Sequence, residues 1–284
     1  MRRVLATLLF LAMAVCAAPA AGDQIPRADL ERRAAELSNT LPSQFHVVIE
    51  PPFVIVGDQE PAAVAGHAEG TVRWAVERLR RDYFPNDPNG IFTIWLFGST
   101  ESYERNTEKF FGQKPISPYG FCLNSRRALV MNITTGGGTL VHEMVHAFME
   151  SNFPECPVWF NEGLGSLYEQ SQNRDGHIIG LTNWRLAGLQ RAITAKQLPP
   201  FETLLAMSAT EFYDKDKGTN YAQARYLLYY LQEKGLLAGF YRDFHDGVKK
   251  DPTGVATLRK ALGREDLGAF QREWEAWVLK LTFP

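Results

Sequence analysis

The chain has 284 residues, 45% of them hydrophobic and 12% aromatic, and its 30 basic and 32 acidic side chains leave a formal net charge of −2. That composition belongs to a folded globular protein and excludes a mainly disordered one. The balanced charge gives no electrostatic reason to expect nucleic acid or an anionic membrane surface as a partner.

Met1-Arg2-Arg3 is basic, Val4 to Ala14 is almost wholly apolar, and Ala18-Pro19-Ala20 precedes Gly22-Asp23. This is the pattern of a secretory signal peptide over residues 1–22. The competing reading, a transmembrane anchor, requires an apolar run of roughly 20 residues, and this one is shorter. The mature chain is therefore expected to be periplasmic or secreted, with no stable membrane anchor. Cys16 would leave with the signal, and Cys122 and Cys156 would remain in a compartment where disulfides persist. A bridge between them is the expectation, with two separate buried thiols as the open alternative.

Phe45-His46-Val47-Val48-Ile49 and Phe53-Val54-Ile55-Val56 are rich in aromatic and β-branched residues and are bounded by Pro and Gly, which predicts two strands. Val72, Ala75, Val76, Leu79 and Tyr83 recur at helical spacing, with Arg73, Arg80 and Arg81 on the other side as a solvated face. A further strand is predicted over Ile91 to Phe97. A hairpin-like pair follows, around Gly120-Phe121-Cys122-Leu123 and Ala128 to Asn132. After Gly136-Gly137-Gly138 the pattern turns helical and stays so, with stripes at Ala224, Leu227, Leu228, Leu231 and at Leu267, Phe270, Trp274, Trp277, Leu281. The expected fold is α+β: a mixed-sheet N-terminal lobe over residues 23–155, and an α-helical C-terminal lobe over 156–284.

His142-Glu143-Met144-Val145-His146 falls in a helix predicted over Leu140 to Ser151, with Thr139 as the candidate N-cap. Four residues are about 400° of helical rotation, so both imidazoles project from one face, one turn apart, where they can share a metal ion. Glu143 is adjacent, suited to act as general base on a water held at that ion. Leu140, Val141, Met144, Val145, Phe148 and Met149 are apolar, so the helix is expected to be buried. A catalytic zinc needs a third protein ligand and an open fourth position. Glu162 follows in a second helical stretch after Pro157, and a reversing turn through Asn152-Phe153-Pro154 would return it past the histidines. One Zn2+ per chain is expected, held by His142, His146 and Glu162 at the junction of the lobes.

From Gly136 to Leu231 the sequence resembles the gluzincin metallopeptidases, which carry a thermolysin-like catalytic core. Trp159-Phe160-Asn161-Glu162-Gly163 through Glu169 is close to the W-x-N-E-G-x-x-x-x-x-E motif of the alanyl-aminopeptidase and leukotriene-hydrolase group. The resemblance implies Glu162 as third zinc ligand and Glu169, two helical turns later, as the carboxylate behind a ligating histidine. Thr219-Asn220-Tyr221 resembles the segment in which a tyrosine steadies the oxyanion, which implies that role for Tyr221. One departure stands out: the Gly-x-Met-Glu-Asn stretch that holds a substrate's free amine is missing. Ala128 to Ile133 offers no carboxylate there, only a strand that could pair with an extended peptide as an edge. The expected activity is zinc-dependent peptide-bond hydrolysis on a peptide or protein substrate, endopeptidase rather than aminopeptidase. The rivals are an inactive exported scaffold and a zinc hydrolase acting on cell-wall material. His46, His67, His177 and His245 sit in no ligand spacing and read as structural or surface residues.

Overall fold

The computed structural model describes residues 22–214 and 218–283, so the expected signal peptide, Gly22 apart, lies outside the described residues. The chain runs α1 (Arg27–Thr40), β1 (His46–Glu50), β2 (Phe53–Gly57), α2 (Pro61–His67), α3 (Trp74–Asp82), β3 (Thr93–Phe97), α4 (Thr100–Phe111), β4 (Gly120–Leu123) and β5 (Ala128–Asn132). It continues with α5 (Gly138–Asn152), α6 (Val158–Tyr168), β6 (Ser171–Arg174), β7 (His177–Gly180), α7 (Leu186–Thr194), α8 (Phe201–Ala206) and α9 (Ala209–Asp214). The last elements are α10 (Thr219–Glu233), α11 (Leu237–Gly247), α12 (Val255–Leu262) and α13 (Leu267–Val278).

The first five strands form one mixed sheet in the order β1-β2-β3-β5-β4. The inner pairs β2-β3 and β3-β5 are parallel, and the outer pairs β1-β2 and β4-β5 are antiparallel. Both faces are covered, which explains why β2, β3 and β5 are buried at every position and read as unbroken apolar runs. Phe53, Ile55, Ile94, Leu96, Leu129 and Met131 face α3, α5 and the C-terminal helices. Their neighbours Val54, Val56, Trp95, Phe97, Ala128 and Val130 face α1 and α4 in a second cluster. The period of two in a strand divides one run of sequence between two cores.

The architecture is α+β with a mixed five-stranded sheet, as expected, and differs in detail. The N-terminal region holds α1 and α4 as well as the expected helix. Helix α1 buries only Leu30 and Leu37, and α4 buries Ser102, Asn106 and Thr107 beside Tyr103, so neither shows a broad apolar stripe. Ser99 caps α4 by accepting from Ser102 N, and Gly112 ends it at a φ of 72°. The C-terminal region is interrupted by the β6-β7 hairpin, whose polar first strand, Ser171 to Arg174, carries no apolar alternation. Arg73 and Arg80 are not merely solvated: Arg73 Nη2 stands 2.7 Å from Glu50 Oε2, and Arg80 pairs with the buried Asp87. The expected stripes are buried at Ala224, Leu227, Leu228, Leu231, Leu267, Phe270 and Trp274, whereas Leu281 lies beyond the end of α13.

One cluster runs from Phe53 in the sheet to Val278 in α13, so sheet and helices share a core. Its centre is α6, between α5 and α10. A Cβ added at Gly163 would stand 3.1 Å from Leu228 and 3.3 Å from Ala224 of α10. Gly163→Val is expected to overpack this contact, lowering stability by about 1–3 kcal/mol, which a urea unfolding curve of the purified protein measures. A midpoint equal to wild type would show that α10 yields freely.

Candidate metal centre

Helix α5 is anchored by Leu140, Val141, Met144, Val145, Ala147 and Phe148, all buried. It begins at Gly138, one residue beyond Gly137 in the cap position, so Thr139 lies inside the helix rather than capping it. The physical reason is the approach of α6: a Cβ at Gly138 would overlap the Glu169 carbonyl oxygen. Further along, a Cβ at Gly165 would meet the His142 ring at 3.1 Å. The later a residue stands in α6, the earlier its partner stands in α5, so the two helices run antiparallel.

This crossing brings together His142, His146 and Glu162, whose candidate ligand atoms all lie within 4.8 Å of one another. The two imidazole rings have centroids 4.6 Å apart. Glu162 Oε2 stands 3.2 Å from His142 Nε2 and 3.6 Å from His146 Nε2. Two ligands on a tetrahedral ion with bonds of about 2.0–2.1 Å are roughly 3.3 Å apart, so these separations fit a metal ion bound by all three. Among the described residues no other group of His, Cys, Asp and Glu meets as this one does. His177 pairs with Asp82 and His245 with Asp246, away from the centre.

Both imidazoles are fixed from behind. His146 Nδ1 is 2.9 Å from Asn161 Oδ1, which selects the tautomer that leaves Nε2 unprotonated toward Glu162. His142 Nδ1 is 3.2 Å from Glu169 Oε1, within ion-pair reach though off the line of a good N–H···O bond. Glu169 is itself gripped: Arg185 Nη2 donates to Oε1 at 2.8 Å, and Arg185 Nε and Asn183 Nδ2 reach Oε2 at 3.1 and 3.2 Å. Burial alone would raise the Glu169 carboxyl, but His142 and Arg185 outweigh it and hold it down at about 2.

Glu143 is 9% exposed, opens onto the cleft, and makes no hydrogen bond or ion pair with the described residues. It lies where two lobes meet, one of about 490 Å³ and one of about 660 Å³, with His142 and Tyr221 shared by both. Tyr221 is half-buried at the start of α10, its ring 5.2 Å below the Arg185 guanidinium and 5.2 Å from Phe212. Arg225, one turn further along α10, is fully buried and donates to the Ser166, Leu167 and Leu181 carbonyls. Tyr226 is buried against Asn183, and Tyr229 and Tyr230 pack on Trp277.

Two expectations are corrected. Cys122 and Cys156 both line the smaller lobe, but they stand as free thiols. Each is turned to a nearby oxygen, Cys122 to Asn124 Oδ1 at 2.9 Å and Cys156 to the Pro157 carbonyl at 3.5 Å, so the expected bridge is not formed. The strand from Ala128 is interior, paired on both sides; the edge is β4.

Tyr213 of α9 was not foreseen: its hydroxyl donates to Glu162 Oε1 at 2.6 Å. Nothing in its spacing marked it, nor Arg185 and Asn183. Asn161, next to the ligand glutamate, carried a signal, since a ligating histidine needs an acceptor behind it. No protein-family model matches the chain, and no curated protein matches it in sequence.

The electrostatics carry a pH dependence. Burial pushes the His142 imidazole down, but the Glu162 and Glu169 carboxylates beside its two ring nitrogens more than reverse this and raise it to about 10. That exceeds the value of about 6.5 in an unfolded chain, so the bound proton stabilises the metal-free fold fully below pH 6.5, and the contribution is lost as pH rises through about 10. A metal ion requires the neutral ring, so its apparent affinity is expected to climb across the same interval. Competition with a chelator at stepped pH measures this; an affinity that levels off near pH 7 would contradict the pairing.

Proposed function

We propose that the protein is a zinc-dependent metallopeptidase of the gluzincin type, exported and acting as an endopeptidase. The observation that carries the reading is the pairing of a three-ligand cluster with one uncommitted carboxylate. Glu162 and Glu169 are tied to histidine, arginine or tyrosine, whereas Glu143, one residue from a ligand, faces the cleft with no partner among the described residues. A carboxylate that opens onto the cleft beside the cluster and is bound by no side chain there is placed to accept a proton. Two imidazoles and a carboxylate are the ligands of hydrolytic zinc, and the crossing of α5 and α6 supports that choice.

A bound zinc ion supplies Lewis-acid polarisation of a carbonyl and acidifies a water molecule. Glu143 takes the proton of the attacking water and delivers it to the departing amine. Tyr221, shared by both lobes, donates to the oxyanion that develops on the scissile carbonyl. Asn161 and Glu169 hold the imidazoles in register throughout.

Substrate orientation follows from the edge strand. β4 is paired only with β5; Gly120 lines the larger lobe and Cys122 the smaller, so its outer edge runs past the cluster from one lobe to the other. An extended peptide added along that edge would cross the centre with chain on both sides. Among the described residues every lining carboxylate except Glu143 is already engaged, Glu150 with Arg127 at 2.7 Å, Glu162 with Tyr213 and Glu169 with Arg185, so none of them is spare for a substrate's free amine. This favours internal cleavage over release of an N-terminal residue.

The test is Glu143→Gln assayed on an internally quenched peptide library beside wild type, with purified cell-wall material as a second substrate. Glu143→Gln is expected to keep its zinc and lose about 100- to 10,000-fold in turnover, and Tyr221→Phe to lose about 100-fold in kcat with little change in KM. Cleavage of cell-wall material alone would redirect the substrate assignment, and an inert wild type with zinc bound would leave the scaffold rival standing.

A further inference from the structure

The carboxylate of Glu162 is divided between two neighbours. Oε2 faces the histidine pair, at 3.2 Å from His142 Nε2 and 3.6 Å from His146 Nε2, while Oε1 accepts from the Tyr213 hydroxyl at 2.6 Å. Tyr213 reaches in from α9, where the buried Phe212 anchors its backbone and both rings pack against Tyr221. Glu162 is 6% exposed, whereas Tyr213 is 44% exposed, so this phenol closes the carboxylate from the solvent side.

We infer that Tyr213 is a positioning residue for the third metal ligand: its phenol holds Glu162 so that only Oε2 is presented to the ion. The proposal rests on the metallopeptidase reading and extends it. A carboxylate can bind through one oxygen or two, and a hydrolytic site must keep a fourth position open for water. If both Glu162 oxygens turned inward, the second would compete for that position. A short hydrogen bond to Oε1 prevents the rotation, and no other donor to Oε1 exists among the described residues. Such supporting partners characteristically set metal affinity by 10- to 100-fold.

Tyr213→Phe keeps the ring and its contacts and removes only the hydroxyl. Metal-free mature protein would be titrated with zinc against a fluorescent chelator, and loaded separately with cobalt(II) for its visible spectrum. The expected result is zinc affinity about 10- to 100-fold weaker, with cobalt absorption bands reduced in intensity as the carboxylate binds through both oxygens and the ion gains a ligand. Thermal unfolding of the metal-free variant is expected to stay cooperative with a midpoint lowered only as far as one lost hydrogen bond to a carboxylate requires, which separates loss of the contact from loss of the fold. Unchanged affinity with an unchanged cobalt spectrum overturns the proposal alone. A fall in kcat with both of those unchanged also overturns it, making Tyr213 an oxyanion donor instead. A wild type that takes up neither ion overturns the metallopeptidase reading together with it.

Discussion

Helix α6 can stand between α5 and α10 only because it presents glycine to both. Gly165 lies against the His142 ring and Gly163 against Leu228 and Ala224, and two residues of helix turn these positions to opposite sides. Any side chain there would move the axes apart by several tenths of an ångström or more. Such a shift would widen the separations in the cluster, now 3.2 and 3.6 Å from Glu162 Oε2 to the two imidazoles. Gly138, closed against the Glu169 carbonyl at the other end of the crossing, fixes the register along the axis. Ligand geometry is thus set by backbone approach, and the glycines are as much part of the site as the histidines.

That approach also concentrates charge. Three carboxylates and two imidazoles lie at one crossing, with Arg185 as the nearest permanent cation. Removing one member of such a buried set typically costs about 3–5 kcal/mol, because its partner is left charged and dry. The arrangement distributes this risk: Glu169 is paired with Arg185, Glu162 faces the histidines and accepts from the Tyr213 hydroxyl, and His146 is hydrogen-bonded to Asn161. Only Glu143 is left out of the network. The acidic residues are thus divided: the paired ones hold geometry, and Glu143 alone is left uncommitted, which is what the proposed proton-acceptor role rests on.

The sequence disclosed what depends on local periodicity. The turn-spaced His142 and His146 and the return of Glu162 follow from helical repeat, and the apolar runs of β2, β3 and β5 marked them as strands, though not that they divide between two cores. It disclosed less where apolar pattern is weak: α1 and α4 bury few apolar side chains, and β6 is polar throughout. It was silent on residues that converge only through tertiary packing. Tyr213, Arg185 and Asn183 come from the hairpin exit, α7's approach and α9, and no spacing relates them to the histidines. The fate of the cysteines shows the same limit. An oxidising compartment would favour a bridge, yet β4 and the α5-α6 turn orient each thiol to a local oxygen.

The edge of the sheet follows from the same logic. β5 leads directly into α5 and must be interior, since β3 pairs with it on one side and β4 on the other. The hairpin fold-back of β4 therefore leaves its own outer edge as the unpaired row beside the cleft. Edge strands are normally hidden or blunted because they recruit other chains. Here the edge is only four residues long and passes between two cavities that share His142, Glu143 and Tyr221. A strand too short to nucleate aggregation is still long enough to align one extended segment across the cluster. The feature that would be a liability elsewhere lies, at this position, beside Glu143, which is what the proposed peptide-binding role of this edge rests on.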